Sequence, residues 1–455
     1  MKRERILSII ICFVLVVFSL TACKNESNDS PVEQAPQQVL TDVSENNTEE
    51  VTEVTDPVSI ETDSDSNQTE ETESGETETG ENEISDSGEA PEETESTDVG
   101  GNDIAPSDEI HVLSYSDDVD TIIASMTLHE KICQMIIVTP AVLTGASKVT
   151  SADDSMYLAL QNYPVGGMIL DKSNIVNASQ LSGMISTAQS YVTIPMIMTL
   201  DEEGGRVTRL MGTVGTTQIG PMYTYHELGP DVASFNAMTI GNDIRSFGFN
   251  MDLAPVADVW SNPANAVIGD RAYSTDFDEA ATLVAAAVNG FHTSGVACCI
   301  KHFPGHGDTS ADSHYGSVYV YKTLDEIRAN EFKPFIAGIN AGSDAVMIGH
   351  LIVADQGNIP ALFSYPLLTT VLRNELGFNG VIISDSLQMK AMTDYYGAGD
   401  IPVMAVAAGC DVLLMPTDLE VTVSSLETAV QNGVISEERI DQSVRRILLL
   451  KKRYI

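Results

Sequence analysis

Positive charge is scarce in this sequence: 23 lysines and arginines stand against 66 aspartates and glutamates, a formal net charge of −43. No basic stripe is available to seat a phosphate backbone, so nucleic acid is excluded as a partner class. Cysteine is sparse as well. The six, Cys12, Cys23, Cys133, Cys298, Cys299 and Cys410, contain no CxxC pair, which argues against a disulfide framework and a zinc–thiolate site. Cys298 and Cys299 fall in an apolar run and read as small buried residues. Tryptophan is limited to Trp260, taken as a packing residue. A GxGxxG turn is missing too: the first apolar run continues "MIIVTPAVLTG", which supports no dinucleotide site.

What is present divides the chain into three. Residues 1–23 have a basic start, an apolar run and a small-residue end, the pattern of a secretion signal. They close on "LTAC", which looks like a bacterial lipobox, so Cys23 is expected to carry lipid and become the mature N-terminus. Two or three acyl chains anchor stably where one does not, which places the protein on the extracytoplasmic face of a cell membrane. Lys24 follows, leaving the envelope type open. Residues 24–110 are dominated by Glu, Asp, Ser, Thr, Asn and Gly, and hold roughly two thirds of the net charge. Such a segment buries too little apolar surface to offset its ordering entropy and is expected to act as a disordered acidic tether. The acidity therefore says little about a ligand.

From residue 111 to 455 short apolar runs alternate with helical segments. The strand candidates are 135–138, 166–170, 195–201, 251–258, 296–303, 345–351, 381–385 and 412–416. Near-continuous apolar strands suit a parallel sheet covered on both faces. Eight of them over this length predict an α/β fold, a single (β/α)8 TIM-type barrel. The last helix is legible: Ser436 caps it, Ile440, Val444, Ile447 and Leu448 make its apolar stripe, and Lys451, Lys452 and Arg453 end it.

Catalysis in a barrel sits at the C-terminal ends of the strands. Those ends carry Asp201, Asp258, Lys301-His302, His350 and Asp385. One aspartate after a strand is ordinarily a cap or turn former, but five such positions on one rim point to a pocket.

The stretches "DEEGGRVTR", "NPANAVIGDRAYS", "KHFPGHGDTSADSH", "GHLIVADQGNIPALFSYPLLTTVLRNELGFNGVIISDSLQM" and "IDQSVRRIL" resemble glycoside hydrolase family 3, most closely its β-N-acetylglucosaminidase branch. The resemblance runs from "MTLHEKICQM" to the C-terminus. It implies that Asp385 is the nucleophile that forms a covalent glycosyl-enzyme, the route to retention. It also implies that His314 is the acid/base and that Asp312 orients and charges its imidazole. Asp201, Arg209, Arg271, Lys301 and His302 match the family's sugar-binding positions, where charged, fork-like groups hold hydroxyls. Gly204 and Gly205 are expected to turn the backbone tightly. His306 and Asp308 are taken to shape the loop and His350 to be a pocket or an ordinary structural histidine, and the alternative to sugar binding for Arg271 is a structural ion pair with Asp270.

The sequence departs from the family pattern twice. Ser386 stands where a second acid often follows the nucleophile, and "RAYS" replaces a more usual Arg-Ser-Phe-Gly. The expectation is an exo-β-N-acetylglucosaminidase that acts as a monomer on cell-wall muropeptides or related glycans, without metal or organic cofactor. The alternatives are a phosphorylase using the same residues, since a histidine acid/base does not repel phosphate, and a non-catalytic glycan-binding lipoprotein, which would want two lobes. A metal hydrolase is disfavoured because "HFPGH" cannot present two histidines on one helix.

Overall fold

The computed structural model describes residues 114–310, 316 and 318–455. The expected signal segment, Cys23, the tether, Asp312 and His314 lie outside the described residues. Eight strands form one sheet: β1 (Ile136–Val138), β2 (Gly167–Ile169), β3 (Ile197–Leu200), β4 (Met251–Asp252), β5 (Ala297–Phe303), β7 (Ala345–Ile348), β9 (Val381–Ser384) and β10 (Leu413–Leu414). They neighbour one another in the order β10-β1-β2-β3-β4-β5-β7-β9, every ladder parallel. A parallel bridge between Ile383 and Val412 brings the two edges together, where Ser384 N–H donates to Val412 O at 2.9 Å. This is a (β/α)8 barrel with strands buried along their whole length, in keeping with their largely apolar sequences.

Helices between the strands start and stop where the chain supplies the chemistry. Asp276 caps 277–294 by accepting from Asp278 N and Glu279 N, and Gly295, at φ +73°, ends it. Ser436 caps 437–454 by accepting from Arg439 N at 3.2 Å, and Ile440, Val444, Ile447 and Leu448 are buried as the stripe predicts. The four described cysteines are all buried and free.

Two expectations need correction. The run at 345–351 is not one strand: β7 stops at Ile348, and Leu351 opens β8 (Leu351–Val353), which pairs with β6 (Val318–Val320) in a separate two-stranded sheet. The run at 251–258 forms a ladder only at its first two residues, because Pro255 has no N–H to donate and the chain rejoins the sheet through a bridge from Val256 to Lys301. Lys451, one of the three cations that end the last helix, turns inward. It is fully buried, its Nζ donating to Gln134 Oε1 at 2.6 Å.

Buried acids tie the last helix to the N-terminal ends of the strands. Asp411, just before β10, accepts from Arg373, from Ser443 Oγ at 2.7 Å, from Arg446 Nη1 at 3.1 Å and from Arg439 Nη2 at 3.4 Å. Asp344, just before β7, accepts from Tyr454 Oη at 2.9 Å and Arg453 Nη1 at 3.2 Å.

Candidate active site

A cavity of about 570 Å³ opens at the C-terminal rim of the barrel, within the roughly 300–1,000 Å³ usual for small-molecule sites. Asp201, Arg209, Arg271, Lys301, His302 and Asp385 all line it. Six expected residues from strand β5 and the segments that follow β3, β4 and β9 are thus brought together.

The β3 loop is built by its own acids. Glu202 turns away from the cavity, its carboxylate accepting from the N–H groups of Arg209 at 2.5 Å, Leu210 at 2.9 Å and Met211 at 3.0 Å. This folds residues 202–211 back and returns Arg209 to Asp201, Nη2 to Oδ2 at 3.0 Å. The turn needs glycine: Gly205 has φ +56°, and a Cβ there would sit 2.8 Å from Pro221 Cα.

Glu203, which the sequence reading passed over, points inward and is 1 % exposed. Arg271 grips it with Nε to Oε2 and Nη2 to Oε1, each 2.8 Å, while Lys301 Nζ lies 2.6 Å from Oε1 and 2.8 Å from Asp201 Oδ1. Burial pushes the Glu203 carboxyl up, but the charges of Arg271 and Lys301 outweigh it and hold Glu203 well below the usual carboxylate range. The same pairs hold Lys301 and Arg271 firmly protonated despite burial. Asp270 does not partner Arg271. It accepts from Arg206 Nε at 3.0 Å, and Arg206 Nη2 also donates to the carbonyls of Ala266, Val267 and Ile268. Arg206 thereby pins the β4 loop against the β3 loop. The only signal for Glu203 was its position two residues after Asp201, on the same side of an extended chain.

Lys301 and His302 are neighbours in β5, yet both line the cavity. The ladder to β7 shifts register between Ile300 and Phe303, the irregularity that re-aims a side chain at a barrel rim. Asp258, buried, holds the following turn: it accepts from His302 Nδ1 at 2.6 Å, His302 N at 3.2 Å and His306 N at 2.6 Å. Burial raises the Asp258 carboxyl, but the two histidines bring it below its ordinary value. His306 also lines the cavity. Gly307 permits this packing, since a Cβ there would overlap Val259 O at 1.6 Å.

Asp385 ends β9 half-buried, its N–H donating to Ile348 O at 3.1 Å and its Oδ1 accepting from Ser386 N at 2.7 Å. Burial raises its pKa, but His350, His302, the Ser386 N–H and Lys301 together lower it below the ordinary value. His350 does not line the cavity; its Nε2 donates to Ser386 O at 2.8 Å, behind the carboxylate. Trp260 lies outside the lining and packs edge-on against Tyr223, centroids 5.3 Å apart. The arrangement offers Asp385, a carboxylate outside the ion-pair web, facing a cavity whose wall is a web of paired charges, suited to a polyhydroxylated ligand and to nucleophilic attack.

Residues 127–450 match the family model described as the glycosyl hydrolase family 3 N terminal domain. The chain is 33 % identical over 322 residues to a beta-hexosaminidase A of Pseudoalteromonas piscicida, covering 64 % of this chain and 54 % of that one. It is 36 % identical over 264 residues to a beta-hexosaminidase of Stenotrophomonas maltophilia, covering 56 % and 77 %. Its fold is similar to that of a family 3 beta-N-acetylglucosaminidase from Paenibacillus sp., with TM-score 0.68, 35 % identity, and 72 % and 63 % of the two chains covered. The chain spans about half the length of the Pseudoalteromonas relative.

Proposed function

Because the chain belongs to glycosyl hydrolase family 3, we propose that it is a retaining exo-β-N-acetylglucosaminidase with Asp385 as its nucleophile. The observation that carries this reading is Asp385 itself, an ionised carboxylate at the end of β9 facing the cavity that Asp201, Arg209, Arg271, Lys301 and His302 also line. One Asp385 oxygen attacks the anomeric carbon as the bond to the leaving oxygen breaks and that oxygen takes a proton. Water then attacks the same carbon, the aspartyl ester breaks, and configuration is retained. His314, oriented by Asp312, is the proposed donor of that proton and its acceptor from water. Lys301 and Arg209, shared by Asp201, and Arg271, gripped by Glu203, would hold the sugar hydroxyls without a large charge imbalance in the pocket.

The glycan class is proposed from the relatives, whose names specify hexosaminidase and N-acetylglucosaminidase activity. Cell-wall muropeptides or related glycans are the proposed substrates, reached from a lipid anchor at Cys23. Among the described residues no helix is long and apolar enough to cross a membrane.

Hydrolysis of 4-nitrophenyl N-acetyl-β-glucosaminide, beside the matching glucoside, tests the reading with Asp385→Asn and His314→Ala. Preference for the acetamido sugar, abolished by the first and much slowed by the second, supports it. Preference for the glucoside removes the N-acetyl assignment, and an Asp385→Asn enzyme with full activity removes the nucleophile.

A further inference from the structure

His306 is 2 % exposed, lines the cavity, and carries an Nε2 with no hydrogen-bond partner among the described residues. A buried polar atom without a partner costs stability unless a ligand supplies one. Which kind of partner it needs follows from Thr309. The Thr309 hydroxyl lies 3.0 Å from His306 O, 2.8 Å from His306 Nδ1 and 3.3 Å from Asn265 Nδ2. A hydroxyl has one hydrogen and two acceptor lone pairs. The carbonyl, which also accepts from Asn265 Nδ2 at 2.8 Å, can only accept, so the hydroxyl hydrogen goes to it and Nδ1–H of His306 donates to a hydroxyl lone pair, which makes both short contacts hydrogen bonds. The opposite assignment leaves two oxygens 3.0 Å apart with no hydrogen between them. The proton of the ring is therefore on Nδ1, and Nε2 presents a bare lone pair. Burial lowers the pKa of His306, which keeps the ring neutral and Nε2 an acceptor. The ring is fixed as well as oriented: its backbone N–H donates to Asp258 at 2.6 Å, and its ring sits edge-on to His302 with centroids 5.9 Å apart.

We propose that His306 Nε2 accepts a hydrogen bond from a hydroxyl or amide N–H of the bound sugar, making His306 a specificity residue of the site. The proposal rests on the glycoside-hydrolase reading above. Most polar groups in the wall carry charge and hold hydroxyls through either donors or ionised acceptors. His306 adds a neutral acceptor that answers only to a donor, so it discriminates between a sugar position bearing O–H or N–H and the same position without it.

The test compares kcat/KM for 4-nitrophenyl N-acetyl-β-glucosaminide with its 3-deoxy, 4-deoxy, 6-deoxy and N-methylacetamido analogues, in wild type and His306→Phe. In wild type the analogue lacking the partner donor should lose about tenfold more than steric change explains. In His306→Phe the parent substrate should fall by a similar factor, and that one analogue should lose nothing further. A merely structural histidine would slow all five substrates alike, and unchanged analogue ratios overturn the proposal. His306→Met, of similar bulk and without a strong acceptor, serves if the Phe variant does not fold. If wild type hydrolyses only the glucoside, the deoxy series is run on glucosides. If it hydrolyses neither, the hydrolase reading falls separately, and the His306 Nε2 nitrogen resonance is followed during titration with N-acetylglucosamine. Displacement of that resonance supports the contact, and no displacement overturns it.

Discussion

Arg271 and Glu203 form a two-bond fork, Nε–Oε2 and Nη2–Oε1 both 2.8 Å, beneath the cavity wall. Lys301 joins Glu203 from the other side at 2.6 Å and passes the linkage to Asp201 and so to Arg209. Five charged side chains from two loops and a strand are thus one unit. A substitution within it acts on fold and site together.

Glu203→Gln should show this. It keeps the shape but removes the charge that two buried cations share, and breaking a buried pair from one side costs about 3–5 kcal/mol. Urea denaturation at neutral pH should register a loss of that order, together with a fall in kcat/KM as Arg271 and Lys301 lose their fixed positions. A loss below about 1 kcal/mol would mean that the fork is solvated like a surface pair.

With Asp385 as the proposed nucleophile, its ionisation should set the acid limb of the pH profile. A nucleophile must be ionised, and its carboxyl, though burial raises it, is brought below its ordinary value by His350, His302, the Ser386 N–H and Lys301. Activity should therefore hold as pH falls and decline only below the usual carboxylate range. His350 is the largest of the lowering influences and stands outside the cavity lining. His350→Gln can still donate to Ser386 O, so it should move the acid limb of kcat/KM upward with little change in KM at neutral pH. An unmoved limb would show that His350 is uncharged while Asp385 titrates.

The barrel and its rim were legible because parallel strands must be apolar throughout and catalytic groups collect where they end. Asp201, Lys301, His302 and Asp385 stand at strand ends in the sequence and at the cavity in the structure. Pairings across loops were not legible. Asp270 adjoins Arg271 in sequence, yet Arg206 takes it, because the β3 loop folds over the β4 loop and no local pattern encodes that closure. The end of β7 was overrun for a similar reason: Gly349 and His350 interrupt the ladder, while Leu351 continues the apolar pattern in a different sheet. Asp312 and His314 rest on the sequence motif alone, being outside the described residues.

Asp411 should prove the main tie of the last helix. It is fully buried and accepts from Arg373, Arg439, Arg446, Ser443 Oγ and the Ile382 N–H. Asp411→Asn leaves three guanidinium groups around a neutral amide, a loss expected at about 3 kcal/mol or more. Hydrogen exchange should locate the loosening in 437–454 before the barrel strands. Uniform loosening would mean that helix and barrel open as one unit.

Lys451 gives the last prediction, because helix-end pattern and structure oppose each other there. A lysine in a final turn ordinarily favours the helix dipole from solvent. This one is 0 % exposed with Gln134 Oε1 as its hydrogen-bond acceptor, and burial brings its pKa down to about 7. In the unfolded chain the amine titrates near its ordinary value of 10.5. Between those two values the unfolded state binds the extra proton, so stability must rise as pH rises from about 7 toward 10.5 and level off below 7. The gain across that window should be on the order of 3 kcal/mol, after allowance for relaxation around the amine. Lys451→Met fills the same space without the amine and should raise the midpoint of urea unfolding at pH 7. It should also flatten this part of the stability–pH curve. If the variant is no more stable at pH 7 and the curve keeps its slope, the amine remains charged in the folded protein and another group supplies the dependence.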